Sequence, residues 1–111
     1  MLFTLVCAFT ASAHADDYNT RKARSYQREA EYYQKKADGY RREAEYYKKK
    51  AEGYQREAAY YTKRGDTDRA RTYMRYADNA MDHYDTQMRY ARRADEKAAD
   101  YLKRAARLLD R

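Results

Sequence analysis

The sequence predicts an all-α protein, a long antiparallel helical hairpin with coiled-coil-like Tyr/Ala packing, assembled into a multi-helix bundle or filament. Three observations predict it. First, the 111 residues include no proline, three glycines, one valine (Val6) and no isoleucine, while Ala, Arg, Lys, Glu and Tyr dominate. That inventory lacks the β-branched and turn residues of a sheet, and Ala, Arg, Lys and Glu are good helix formers. Second, a 14-residue unit, two heptads long, repeats through the first half. Third, the pattern breaks once, near residue 65, and restarts in a new phase.

The elements follow in order. Residues 1–15 read as a secretory signal peptide. Leu2 to Ala11 is a short apolar run, and Ala13-x-Ala15 matches the small-residue cleavage pattern, with Asp16-Asp17 opening the mature chain. The run departs from the usual leader in carrying no Lys or Arg, and it is too short to span a bilayer. Cys7 lies inside it, without a lipobox before it, and is the chain's single cysteine.

Helix 1 is expected over about 17–64. Residues 26–39 read YQREAEYYQKKADG, residues 40–53 read YRREAEYYKKKAEG, and residues 54–67 read YQREAAYYTKRGDT. The first two copies match at eleven of fourteen positions, so one surface recurs about every 21 Å along a helix. Steps of four and three connect Tyr26, Ala30, Tyr33, Ala37, Tyr40, Ala44, Tyr47, Ala51, Tyr54, Ala58 and Tyr61. Such alternation is an a/d seam, read here as a self-assembly seam of alternating Tyr and Ala layers. A second packing stripe, Tyr32, Gly39, Tyr46, Gly53 and Tyr60, lies beside it and alternates large with small. Glycine inside a helix costs about 1 kcal/mol relative to alanine. Its return at a fixed register points to a neighbour's side chain fitting over it. Acid-then-base pairs at i,i+4 (Glu31–Lys35, Asp38–Arg42, Glu45–Lys49, Glu52–Arg56) support a solvated outer helix face.

The turn is placed at Gly65, Asp66 and Thr67. Lys63-Arg64 before it and an Asp or Thr cap after it make a stop-and-restart signal. Helix 2 is expected over about 68–110, with a stripe of Tyr73, Met74, Ala77, Met81, Tyr84, Met88, Tyr101 and Leu102, in which the methionines and Leu102 flank the Tyr/Ala seam positions. Continuing the first helix's heptad count puts this stripe on the opposite side, which a hairpin explains and one straight helix does not. A lone hairpin leaves Tyr and Met surface wet, and exposed apolar stripes mark partner surfaces. The expected partner is a second copy of the chain, as a homo-oligomer or filament.

No catalytic constellation stands out, and no cofactor or metal is expected. His83 is the only histidine beyond the leader, and no phosphate loop or nucleophile–base pair is present. Asp78, Asp82, His83 and Asp85 cluster, but ion pairing accounts for them. Arg64-Gly65-Asp66 spells an adhesion tripeptide, and turn chemistry accounts for it. The net charge of +7 admits contact with polyanions such as lipopolysaccharide, acidic polysaccharide or extracellular nucleic acid. The charge is read as spread among carboxylates, without a clean basic stripe and without a specific nucleic-acid site. No membrane span is expected.

The Ala-layered heptads behind an export leader resemble bacterial envelope coiled coils such as the major outer-membrane lipoprotein, and small basic periplasmic chaperones are a looser parallel. The resemblance is one of class: the lipidated Cys is missing, and the residues Leu109-Asp110-Arg111 lack the family's terminal Lys. It implies no residue roles. The function expected is a structural, self-assembling helical protein of the cell envelope or extracellular matrix. The alternatives are a basic polyanion-binding envelope protein or a small periplasmic holdase.

Overall fold

A computed structural model describes the backbone of residues 2–110 and the side chains of residues 17–110. The side chains of the export leader expected at residues 1–15 lie outside that range, and the helix expected from about residue 17 begins at Leu2, its backbone continuing through those residues. The chain is a helical hairpin of two helices packed against each other, α1 (Leu2–Lys63) and α2 (Thr67–Leu109).

The turn between them is built from three residues. The Asp66 amide donates to the Tyr61 carbonyl at 3.0 Å and the Gly65 amide to the Thr62 carbonyl at 3.1 Å. This pair of bonds is a Schellman C-cap, which satisfies carbonyls the helix end would otherwise leave open. It requires a left-handed residue just past the end. Gly65 supplies it with φ of 78°, a conformation costly to any residue with a Cβ. Asp66 then caps α2: its carbonyl accepts from the Ala70 amide at 3.1 Å and its Oδ1 from the Arg69 amide at 3.1 Å. Thr67, expected in the turn, is instead the first residue of α2, because Asp66 rather than Thr67 takes the capping role.

The chain divides into two compact units, Lys35–Ala94 and the segments up to Gln34 and from Asp95 onward. In the Lys35–Ala94 unit the buried core is alanine alone. Ala37, Ala44, Ala51 and Ala58 of α1 meet Ala70, Ala77, Ala80, Ala91 and Ala94 of α2. Methyl-sized layers let the helix backbones approach closely, and dispersion between closely packed backbones stabilises what the small side chains cannot. The other unit repeats this arrangement with Ala23 and Ala30 of α1 and Ala98 and Ala105 of α2. Among the described residues no large side chain is fully buried.

The tyrosines of the α1 seam cover the edge of this alanine core, and each is half-buried against its own chain's second helix. In the Lys35–Ala94 unit Tyr40 meets Tyr90 (5.4 Å between ring centroids), Tyr47 stacks on His83 (4.8 Å), Tyr54 meets Tyr76 (5.4 Å) and Tyr61 lies under the Arg69 guanidinium (5.4 Å). Each step of seven forward on α1 is matched by a step of seven backward on α2, which is the register of an antiparallel pair. In the other unit Lys97 sits 5.2 Å from the Tyr33 ring at the same register, and Tyr33 stacks on Tyr101 at 5.8 Å. Ring pairs of this kind contribute about 0.5–1.5 kcal/mol beyond their buried area.

The Tyr/Ala seam read as a self-assembly surface is therefore filled from within: α2 of the same chain occupies it. The physical reason is the turn, which brings the second alanine series alongside the first before any second copy is needed.

Candidate functional site

With the seam occupied, the surfaces left for function are the outer rows of the two helices. On α1 the exposed row is the Tyr/Gly stripe. Tyr46 and Tyr60 in the Lys35–Ala94 unit are 53% and 47% exposed, and Tyr32 in the other unit is 52% exposed. Each rests edge-on against the next residue's ring, as in Tyr46–Tyr47 at 5.3 Å and Tyr60–Tyr61 at 5.2 Å. The rings are thus held upright without being covered. Two positions that the stripe did not include continue it toward the N-terminus at the same spacing: Tyr18, also exposed, and Ser25 in the small place.

The glycines of this row are not required by the hairpin. A Cβ added at Gly39 would meet only the tip of the Arg42 guanidinium at 3.9 Å, and one at Gly53 only that of Arg56 at 3.8 Å. These are ordinary contacts with exposed, flexible side chains. The helix therefore carries two glycines whose cost no contact within the chain offsets.

Beside the Tyr/Gly row the helix phase places a second row that corrects the charge reading. Lys35, Arg42, Lys49, Arg56 and Lys63 follow one another every seven residues in the Lys35–Ala94 unit, and all are exposed. Arg21 and Arg28 continue the spacing in the other unit. The cations of α1 do form a basic stripe, and the carboxylates occupy neighbouring rows. The expected Asp38–Arg42 pair is replaced by Asp38–Arg41 at 2.7 Å, while the Arg42 guanidinium lies over Gly39.

On α2 the stripe consists of a seam and a flank. Ala77 is buried and Tyr73, Tyr84 and Tyr101 half-buried in the seam, where Gln87 fills the layer between Tyr84 and Ala91. Met74, Met88 and Leu102 are exposed and Met81 half-exposed on the flank. Two hollows open beside this flank. One, of about 580 Å³, is lined by Thr67, Ala70, Arg71, Met74, Arg75 and Asp78. The other, of about 530 Å³, is lined by Asp82, Asp85, Thr86, Met88, Arg89 and Arg92.

The opposite flank of α2 carries Tyr76, His83 and Tyr90 at seven-residue spacing, a row absent from the sequence reading although its period was visible. Tyr76 and His83 of this row, with Tyr47, Lys50, Tyr54, Asn79 and Ala80, form a shallow depression of about 220 Å³. The Tyr46 hydroxyl accepts a hydrogen bond from the Lys50 ammonium and, with the nearby Tyr54, holds the Lys50 pKa above the usual lysine value. His83 is engaged as a ring partner of Tyr47. Among the described residues no three His, Cys, Asp or Glu side chains gather as metal ligands, and no helix is long and apolar enough to cross a membrane. The Asp66 carboxylate of the Arg-Gly-Asp tripeptide is engaged in capping α2.

These features define a class, an alanine-seamed helical hairpin with tyrosine rows on its flanks. No family model, curated protein or solved structure matches the chain.

Proposed function

We propose that the chain is a non-catalytic, self-assembling structural protein of the cell envelope or extracellular matrix, exported by the leader read at residues 1–15. One observation carries the reading. The outer row of α1 holds tyrosine rings half in solvent and alternates them with glycines that the hairpin itself does not need. A neighbouring chain accounts for both, since it covers the rings and requires close approach at the glycines.

The test is the size of the mature chain (residue 16 onward) in solution, by sedimentation velocity and negative-stain microscopy. Oligomers or fibres are expected, and replacing Gly39→Leu with Gly53→Leu should abolish them while the chain stays helical. A wild-type chain that remains monomeric at high micromolar concentration contradicts the reading. A double variant that assembles like wild type removes the role given to the glycines.

The basic row supports a second reading, contact with polyanions. Cations recur about every 10 Å along α1 with exposed tyrosines beside them, an arrangement suited to an anionic polymer with stackable rings or sugars. Binding to heparin or single-stranded DNA that weakens steeply with salt is the expected signature, and salt-insensitive binding excludes it.

A further inference from the structure

Resting on the self-assembly reading, we infer the contact that joins two copies: Tyr46 and Tyr60 of α1 seat in the Met74 and Met88 hollows of α2 of a second copy. The first argument is spacing. The two exposed rings stand fourteen residues apart on α1, and the two hollows are centred on methionines fourteen residues apart on α2. Met74 and Arg75 of one hollow recur as Met88 and Arg89 of the other, fourteen residues on, so one rigid displacement brings both rings to a methionine and an arginine. Gly53, midway between the rings, then lies level with the partner's Met81, midway between the hollows, where a side chain would hold the helices apart.

The second argument is chemistry. Each hollow offers a thioether and two guanidinium groups, Arg71 and Arg75 in one and Arg89 and Arg92 in the other. Methionine sulfur and arginine are favourable neighbours of an aromatic ring.

The third is charge. Lys49 and Arg56 lie between the two tyrosines, seven residues apart, and Asp78 and Asp85, which line the facing ends of the two hollows, stand at the same separation. With the rings seated, each cation comes level with one carboxylate whether the paired helices run parallel or antiparallel. Among the described residues none of these four charges holds an ion pair within its own chain, so the ion pairing expected at Asp78 and Asp85 and the expected Glu45–Lys49 and Glu52–Arg56 pairs do not form. Because the ring-bearing face and the hollow-bearing face are different surfaces of one chain, the contact is heterologous. It leaves a free face at each end and propagates.

The experiment uses two charge-reversed chains, Lys49→Glu/Arg56→Glu and Asp78→Lys/Asp85→Lys, with sedimentation velocity as readout and helical circular dichroism as the check on folding. Like charges facing each other across an interface are strongly unfavourable, so each variant alone should associate about a hundredfold or more weakly than wild type. Mixed one to one, the variants present opposite charges at every junction, and assembly should return. Variants that each assemble like wild type, or a folded mixture that stays monomeric, overturn the contact while wild-type assembly leaves the broader reading standing. A monomeric wild type overturns both. Should either variant fail to fold, Tyr46→Ala/Tyr60→Ala replaces it: its assembly must fall to the monomer, and unchanged assembly overturns the contact.

Discussion

The chain writes the same Tyr-Tyr dipeptide at 32–33, 46–47 and 60–61, yet the two members of each pair have opposite fates. In the Lys35–Ala94 unit the second member, Tyr47 or Tyr61, is half-buried against α2 and meets a ring or a guanidinium there. The first member, Tyr46 or Tyr60, touches only its neighbour's edge and the cation one turn on, Lys50 or Arg64, and faces solvent. One residue of helical phase, about 100°, separates them. The inner row thus packs the two helices together, while the outer row, equally periodic, takes no part in that packing.

Substitutions can break that division, and the inner row should respond most. Tyr54→Ala and Tyr61→Ala each remove a half-buried ring and its contacts on Tyr73, so each should destabilise the hairpin by about 2–3 kcal/mol in urea unfolding. Overfilling the alanine layer sharpens the point. Ala51→Leu, at a position 1% exposed, should cost about 1–3 kcal/mol by forcing the helices apart. At the turn, Gly65→Ala strains the left-handed residue and Asp66→Ala removes the α2 cap, each costing about 1 kcal/mol.

The outer row should behave differently. Gly53→Ala has room for its methyl and should raise the melting temperature of dilute monomer, a gain of about 0.5–1 kcal/mol from helix propensity, while weakening association. Tyr46→Ala should change the monomer's stability by about 0.5 kcal/mol or less.

The hairpin was legible because its signals are local and repeated. The heptad steps of Tyr and Ala, the change of phase near residue 65 and the Gly65-Asp66 stop signal each specify backbone geometry without reference to distant residues. What covers the α1 seam was less legible, because the partner row on α2 is chemically mixed. Arg69, Tyr76, His83, Tyr90 and Lys97 share a seven-residue period but no residue type, and Gln87 interrupts the apolar layer. A search for like residues passes over a row united only by what it does to an aromatic ring. The basic row of α1 was hidden for a related reason. Lys and Arg alternate within it, and acidic residues one turn away mask it until the helix phase separates the rows.

The division of labour between the two tyrosine rows is tested most directly by sedimentation velocity of the wild-type chain from residue 16 onward beside Tyr46→Ala/Tyr60→Ala, with urea unfolding measured on both at monomeric concentration. Assembly is expected in the wild type, monomer in the variant, and unfolding midpoints that coincide within error. Equal assembly in the two chains, or a variant that loses its fold along with its assembly, would contradict it.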